Sequence, residues 1–420
     1  MTLVPAFLRP ETPVRLRFWA FAVVTVAVAL LAATSLIMSR VQRQVGVIGT
    51  AAAPQAANAA DLYFALSDMD AQVARMVLIG DADALSGSKL DALGGYRERS
   101  LQVDAALQRS LTTATGLADR AIVLDLLNGL AVYRQWVWQA LTAQTRAPAD
   151  TLGYFTQATN VLHLDLLPAA LRLREASETS LDRAYAAKSS TQVWGVVLAI
   201  VLGAGLIMLL IWLQVWLARR FRRVLNPALS AATVLVVALV LGVVAVLTAQ
   251  GQRLGAARDD SLTPYLALSQ ARATSYDAAA DTSRYLISAN LALYRQDFTR
   301  KSDSLTKGGA PGLASAPEVV PRWLAYQRDH ERIVALAEAG RTQEAVGVLT
   351  GIRRGDAAFD FSFFDAAVDE IATARKQAFE VSMRDTERLL TGWTVIPSVV
   401  LGLVLLLVPL GVRRRLAEYR

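Results

Sequence analysis

Few side chains in this 420-residue chain are of the types that perform catalysis or bind metals. There is no cysteine, and the two histidines, His163 and His330, lie far apart in the sequence. Walker loops, Gly-rich dinucleotide fingerprints, HExxH motifs and CxxC pairs are all missing from it. The sequence therefore predicts that the protein is not an enzyme, that it needs no cofactor and that it holds no metal.

The histidines and one acidic cluster have structural interpretations. His163 lies in an apolar helical stretch and is interpreted as a partly buried structural residue. His330 lies in Arg328-Asp-His-Glu-Arg332, a pattern typical of a solvated helix face. Calcium binding by the acidic cluster is disfavoured because EF-hand spacing is missing, and acids at a helix start are favoured by the helix dipole. The cluster consists of Asp360, Asp365, Asp369 and Glu370.

Two arginines are the candidate contacts for a ligand or partner. Arg75 and Arg284 each lie near the end of a predicted helix, in the alignable segments Arg75-Met-Val-Leu-Ile and Arg284-Tyr-Leu-Ile-Ser. A guanidinium can bind a carboxylate through two hydrogen bonds, as in an amino-acid-like ligand or an acidic protein surface. The favoured alternative is an ion pair within the helical domain, with Asp70 or Asp277 as the partner.

The elements that must position these residues are set by four apolar stretches. Each has 20 or more mainly apolar residues and no charged side chain, enough to cross a membrane as a helix. They predict transmembrane helices at 18–38, 193–217, 227–249 and 393–412. Two long polar segments, 39–192 and 250–392, lie between the first pair and between the second pair.

The distribution of charge predicts the orientation. The short pieces 1–17, 218–226 and 413–420 together carry 11 basic and 2 acidic residues, whereas the long segments are nearly neutral. By the positive-inside rule, the short pieces are cytoplasmic, both termini included, and the long segments lie outside the plasma membrane. The net charge of +7 thus reflects topology and does not indicate nucleic-acid binding.

The basic residues of the link and tail are interpreted as topology determinants that contact lipid headgroups, with docking of a cytoplasmic protein as the sharper alternative. They are Arg219, Arg220, Arg222, Arg223, Arg413, Arg414 and Arg415. Asn226 and Pro227 are interpreted as the N-cap and first residue of the third span. These short pieces are expected to leave no room for a catalytic output domain.

Both long segments are predicted to be helical, which makes the fold class all-α. Apolar residues recur at steps of three and four along the first segment: Leu62, Leu66, Met69, Val73 and Met76. Helix breaks are predicted at Gly80–Gly87, Gly94–Gly95, Thr115–Gly116, Ala147–Pro148 and the loop Lys307–Pro317, and shorter helices are predicted to end at Gly340, Gly351 and Gly355. Each segment therefore resolves into a four-helix-bundle-like domain. The two halves form a tandem parallel repeat, a possible pseudo-dimer within one chain.

The doubled span–bundle–span layout and the RRFRRVLNP link resemble the GlnX family of actinobacterial membrane sensors. The resemblance covers the whole chain in layout, although its local motifs are modest. It implies that the outer bundles read a glutamine/aspartate-binding lipoprotein and that the spans pass its state to serine/threonine protein kinase G. The function expected is a non-catalytic signal relay that works by helix displacement.

Two other classes of function stay open. One is a four-span ABC-type permease subunit, whose outer domains usually contain β-strands and which needs a larger cytoplasmic coupling element than the short link 218–226. The other is a membrane scaffold that holds an extracytoplasmic partner without signalling.

Overall fold

The computed structural model describes residues 12–113, 116–221, 227–288, 291–307 and 313–416. All regular secondary structure in these ranges is helical, and the all-α prediction is confirmed for them. The α-helices are α1 (Thr12–Val47), α2 (Ala53–Ile79), α3 (Ser86–Thr113), α4 (Leu117–Arg146), α5 (Thr151–Val161), α6 (Leu167–Phe221), α7 (Pro227–Ala257), α8 (Thr263–Ile287), α9 (Leu291–Thr306), α10 (Val320–Glu338), α11 (Thr342–Thr350), α12 (Ala357–Leu390) and α13 (Ile396–Leu416).

The chain divides into two compact units, each built from stretches distant in sequence. The apolar unit comprises the described residues within Met1–Ile48, Arg183–Ala256 and Val381–Arg420. The polar unit comprises the described residues within Gly49–Asp182 and Ala257–Glu380. Both long polar segments of the sequence thus contribute to one compact body.

Three continuous helical runs are long and apolar enough to cross a membrane. They are Phe18–Ile79, Pro148–Arg219 and Pro227–Ile287, and each contains one of the first three predicted spans. The predicted span at 393–412 begins with a turn at 391–395 and continues as a shorter apolar helix, Ile396–Leu410. Its membrane crossing stays a prediction.

The helices of the apolar unit pack antiparallel. The rings of Trp19 and Trp212, on α1 and α6, contact each other at an interplanar angle of 47°, with their centroids 4.0 Å apart. At the other end of the same pair of helices, Gln44 Nε2 donates to Thr191 Oγ1 at 3.0 Å. Between α6 and α7, Gln214 Nε2 donates to the Thr233 hydroxyl at 2.8 Å. α13 packs against α1 and adds a fourth helix to the unit.

Glycines allow the helices of the apolar unit to approach one another closely. A Cβ placed on Gly203 would lie 2.4 Å from Val240 Cγ2, and one on Gly242 would lie 2.6 Å from the Trp393 ring. Gly195 on α6 faces Ile37 of α1 in the same way, at 2.6 Å. Small residues at such contacts are how apolar helices pack where no hydrophobic force draws them together.

Three prolines lie just after single π-helical turns. Pro54, Pro168 and Pro264 lie two residues after the ends of the π-turns Ile48–Ala52, Leu162–Leu166 and Arg258–Leu262, respectively. Proline lacks the N–H that an α-helix needs and its ring clashes with the preceding turn, so a local π-turn lets the helical run continue through it. The two π-turns at Ile48–Ala52 and Arg258–Leu262 join α1 to α2 and α7 to α8 in matching positions.

The polar unit is organised around α2, which packs along both α3 and α8. Its main hydrophobic core lies among α2 to α6 and includes Leu62, Met69, Val123, Tyr133 and Phe155, with Ala280 of α8 packed against it. A smaller cluster, Phe64 with Ala273 and Tyr276, lies on the contact between α2 and α8. This contact joins the two sequence segments.

Several predicted helix breaks coincide with real ends. Gly80 and Gly340 have φ of 60° and 74°, values that favour glycine, and they follow α2 and α10. The predicted break at Gly94–Gly95 is wrong, because both residues lie inside α3. A Cβ on Gly95 would lie 3.2 Å from the Gln72 side chain, so this glycine serves close packing of α3 on α2 and does not end a helix.

We expect Gly203→Ala to destabilise the apolar unit by about 1–3 kcal/mol, because the added methyl group overlaps the stiff Val240 side chain. Gly205→Ala is the matched control, since its Cβ would meet nothing within 4 Å. The measurement is a denaturant titration of the detergent-purified full chain. Equal stability of the two variants would contradict the close α6–α7 contact.

Candidate functional site

A buried network of charges joins the two segments of the polar unit. At its centre is Arg284 of α8, whose side chain is 1% exposed. Its guanidinium donates to Asp70 of α2, to Asp281 at 2.6 Å and to Asp277 at 3.2 Å. Asp70 and Asp281 are equally buried. The ion pair with Asp70 therefore bridges α2 and α8 across 214 positions of sequence.

Lysine, histidine and tyrosine complete this network. Lys301 of α9 lies 2.7 Å from Asp277 and 2.5 Å from Asp281. Tyr133 of α4 donates to Asp70 at 3.4 Å. Arg284 Nη2 also contacts His163 Nε2 at 3.0 Å. Because arginine can only donate, this His163 nitrogen must accept and the ring is neutral.

The electrostatics of the network follow from its excess of acid. Three carboxylates share two cations, so one negative charge has no counterpart. Burial and the charge of Arg284 lower the pKa of His163, in agreement with a neutral ring. Burial acts against Asp277, but the charges of Lys301 and Arg284 hold its pKa well below the usual range. Burial raises the pKa of the neighbouring Asp281, which is therefore protonated more easily than Asp277.

The two arginines for which the sequence predicts the same role, Arg75 and Arg284, have different environments in the structure. Arg284 forms the ion pair within the helical domain that the sequence favoured, and it pairs with both predicted acids, Asp70 and Asp277. Its burial leaves it no surface for a ligand. Arg75, by contrast, lines an open cavity and has its single ion pair, within the described part of the chain, with Asp91 at 3.4 Å.

This cavity has a volume of about 730 Å³, within the ~300–1,000 Å³ of typical ligand sites. It is lined by six helices, α2 and α3 of the first segment and α8, α10, α11 and α12 of the second. Its chemically active lining residues are Arg75, Asp91, Glu98, Arg99, Arg272, Tyr276, Tyr326, Phe361, Asp365 and Asp369.

Two of the cavity's arginines are held in place by acids and by one aromatic ring. Arg272 grips Asp365 with Nε and Nη2, at 2.8 and 3.0 Å, and contacts Asp369 at 2.5 Å. Arg99 donates to the buried Asp68 at 2.5 Å. Both guanidinium groups lie over the Phe64 ring, that of Arg99 at 5.0 Å and that of Arg272 at 4.3 Å from the ring centroid.

The pKa values separate these arginines from Arg75. Burial lowers the pKa of Arg99 and of Arg272, but their bound acids more than offset this and raise both above the ordinary value. Burial also lowers the pKa of Arg75, and there the charge of Asp91 does not compensate. Arg75 is therefore the cavity arginine whose desolvation is not balanced by the protein.

The interpretation of residues 328–332 as a solvated helix face is wrong for two of its members. His330 is 4% exposed, and its ring stacks on Phe298 with centroids 3.5 Å apart. Its Nδ1 lies 2.9 Å from the Thr282 hydroxyl, and burial lowers its pKa to about 3. Asp329 is 7% exposed. Packing of α10 against α8 and α9, between residues distant in sequence, buries both.

The predicted cytoplasmic residues are only partly described. Arg219 is exposed at the end of α6, and Pro227 begins α7 as predicted. Arg222, Arg223 and Asn226 lie outside the described residues, as do the side chains of Arg220, Arg413, Arg414 and Arg415. No group of three or more metal-ligating side chains is found in the described ranges.

The sequence reasoning missed Arg99, Arg272 and Asp68 as members of the site. One signal was available: Asp365 and Asp369 are four residues apart, so they lie on one face of α12 and can bind a single cation between them. The interpretation of these acids as a helix start did not use that spacing. No local signal marked Asp68, which lies beside apolar residues on α2.

Comparison with known proteins matches part of the chain to a family of sensor domains. Residues 44–186 are similar to the actinobacterial sensor domain, a family model that covers about a third of this chain. It runs from the end of α1, through the helices of the first segment, into α6. No curated protein and no solved structure matches the chain. The match supports an actinobacterial sensor protein and a role in sensing or signalling.

We expect Arg284→Met to lower the free energy of unfolding by about 3–5 kcal/mol, because it leaves buried carboxylates without their main cation. Arg295→Met is the control: Arg295 pairs with Glu338 at 2.7 Å, but both are more than half exposed, so the loss should stay below ~1 kcal/mol. Denaturant titrations of the full chain compare the two. Similar losses would mean that the buried network does not hold α2 to α8.

Asp329 predicts a pH dependence of stability. Burial and the nearby carboxylate of Asp360 raise its pKa from 3.8 to about 7. The native state thus favours the protonated acid. The contribution of Asp329 to the free energy of unfolding is therefore complete below pH ~4 and is lost as the pH rises through 7. We expect this loss to be on the order of 1–3 kcal/mol.

Asp329→Asn should remove this part of the pH dependence between pH 4 and 8, because the amide does not ionise. The control is Asp303→Asn, at an exposed acid that pairs with Lys307. Unfolding titrations at several pH values measure the difference between each variant and the wild type. If Asp329→Asn kept the full wild-type slope, the carboxyl pair would not be its source.

Proposed function

We propose that this protein is a non-catalytic transmembrane relay. It reads an extracytoplasmic ligand or an amino-acid-binding lipoprotein and passes the signal by helix displacement to a separate cytoplasmic protein kinase. The observation that carries the proposal is the match of residues 44–186 to the actinobacterial sensor domain, in a chain with three helices that can cross a membrane.

The path of the signal is supported by continuity along the chain. α1 continues into α2, and α7 into α8, through single π-turns. A shift of α2 against α8 would therefore be carried along two helices that reach the predicted spans. π-turns are points where a helix can adjust its register without breaking, and they recur at functional sites.

The contact of α2 with α8 suits a two-state element. It combines small side chains, such as Ala273, with the ion pair of Arg284 and Asp70 and the hydrogen bond from Tyr265 to Asp61 at 2.5 Å. Small residues permit sliding, whereas the polar contacts favour discrete positions. A ligand or partner that binds one position more tightly shifts the population toward it.

The proposed topology has four spans, with both termini in the cytoplasm and the two segments as a tandem parallel repeat. The matched π-turn and proline pairs before α2 and α8 support the repeat. In this view the chain is a pseudo-dimer, in which the contact of α2 with α8 stands for the interface between two receptor subunits.

The partners in the proposal come from the resemblance to GlnX-like sensors. They are a glutamine/aspartate-binding lipoprotein outside and serine/threonine protein kinase G inside, with membrane lipid around the spans. The basic link and tail offer the surface for the kinase. A permease would be favoured by β-strands in the outer segments, and the described part of those segments contains none.

The test uses the lack of natural cysteine, which allows a single cross-link to be placed. Asp182 and Arg258, in the two segments, form an exposed ion pair at 2.6 Å. We expect the Asp182→Cys/Arg258→Cys chain, bridged by a short bismaleimide in spheroplasts, to lose signalling. The readout is the change in phosphorylation of cytoplasmic proteins when amino acids are added outside.

Each single-cysteine variant treated with the same reagent should keep the response, which separates bridging from labelling. An unchanged response in the bridged chain would exclude a relay that needs the two segments to move. Loss of amino-acid uptake on deletion of the gene, with no change in phosphorylation, would favour the permease.

A further inference from the structure

We propose that the six-helix cavity around Arg75 binds a small zwitterion directly, a molecule with a free α-carboxylate and a free α-ammonium group such as an amino acid or a short peptide. This inference rests on the proposed sensing function and names the class of ligand that the polar unit itself would recognise.

The carboxylate end is assigned to Arg75. Within the described residues, its only hydrogen bond goes from Nη1 to Asp91, at 3.4 Å, and that acid is 76% exposed. Its Nε is buried and makes no hydrogen bond with any described residue. A half-buried guanidinium with spare donors is costly unless an anion joins it, and a carboxylate matches the geometry of its fork.

The ammonium end follows from the surplus of acid in the cavity. The lining has four carboxylates and three guanidinium groups, and the buried Asp68 behind Arg99 adds another acid. Asp369 uses one oxygen on Arg272, and its second oxygen makes no hydrogen bond among the described residues. The surplus carboxylates would repel a dianion. A zwitterion offers a carboxylate to Arg75 and an ammonium group to these acids.

The remaining lining supports a molecule with an organic body. Tyr276 and Phe361 meet edge to face, with ring centroids 4.8 Å apart, and Tyr326 lies 5.1 Å from Phe361. Aromatic faces attract an ammonium group and also pack against apolar side chains. The volume of about 730 Å³ admits a tripeptide as well as a single amino acid.

Binding at this cavity would act on the joint between the segments. Arg75 belongs to α2, Arg272 and Tyr276 to α8, and Asp369 to α12. A ligand that contacts both ends of this set favours the spacing of α2 and α8 that fits it. The same helices hold the Arg284 network, so the occupied cavity and the buried ion pair share one contact.

The experiment is isothermal titration calorimetry on the detergent-purified full chain. The probes are the twenty amino acids one at a time, trialanine, succinate as a dianion and putrescine as a dication. We expect at least one zwitterion to bind and succinate and putrescine not to bind. Arg75→Gln and Asp369→Asn should each weaken that binding tenfold or more, which is about 1.4 kcal/mol.

Arg134→Gln is the matched control. Arg134 is also half-buried and ion-paired, with Asp104 at 2.9 Å, but it does not line the cavity, so binding should stay within twofold of the wild type. Thermal unfolding checks that each variant is folded. Arg75 and Asp369 are partly exposed, and Ser362→Trp provides a second block of the cavity if either variant unfolds.

Binding of no zwitterion, or binding that survives both Arg75→Gln and Asp369→Asn, would overturn the inference. Tighter binding of succinate or putrescine would do the same. Because calorimetry needs neither kinase nor lipoprotein, a failed signalling test with intact binding would count against the relay alone. Failed binding with intact signalling would indicate that a separate protein recognises the ligand.

Discussion

The ion pair between Arg284 and Asp70 is the contact on which the architecture of the polar unit depends. It buries a cation and an anion from opposite segments, where neither could stay charged alone. Asp277, Asp281 and Lys301 surround the pair, so several charge-assisted hydrogen bonds offset the desolvation that a single buried pair would not repay. Such a network specifies one relative position of α2 and α8 more strictly than apolar packing does.

The buried charge network and the cavity both lie along the contact of α2 with α8. Along α2, Asp70 faces the buried charges and Arg75, just over one turn further, faces the cavity. Along α8, Arg284 belongs to the network and Arg272 and Tyr276 to the cavity wall. Because the network and the cavity share these two helices, the proposed relay would need no long chain of intermediate residues between them.

The helices of the apolar unit are held together by different interactions from those of the polar unit. Its helices carry few polar groups and come together through glycine contacts, such as that of Gly203 with Val240 between α6 and α7. Hydrogen bonds between helices, such as the one that the Gln214 side-chain amide donates to the Thr233 hydroxyl, add direction to this packing. Proline is tolerated in the long helical runs because each π-turn absorbs the missing hydrogen bond. Helix continuity is thus kept where the proposed relay requires it.

Much of the fold could be predicted from local sequence. The helical class, the apolar runs and the ends at Gly80 and Gly340 follow from periodicity, hydropathy and the backbone freedom of glycine, which act over a few residues. The helix break predicted at Gly94–Gly95 was wrong, because glycine also permits close packing inside a helix. The local sequence does not distinguish a glycine that ends a helix from one that packs inside it.

The candidate site was predictable only in part. The sequence by itself determined that Arg75 and Arg284 lie near helix ends and that acids cluster on α12. Tertiary structure decided that one arginine is buried among carboxylates while the other faces a cavity, and that His330 and Asp329 are interior residues. The physical reason is distance along the chain: the fate of a charge depends on which remote helix packs over it, and local composition carries no record of that partner.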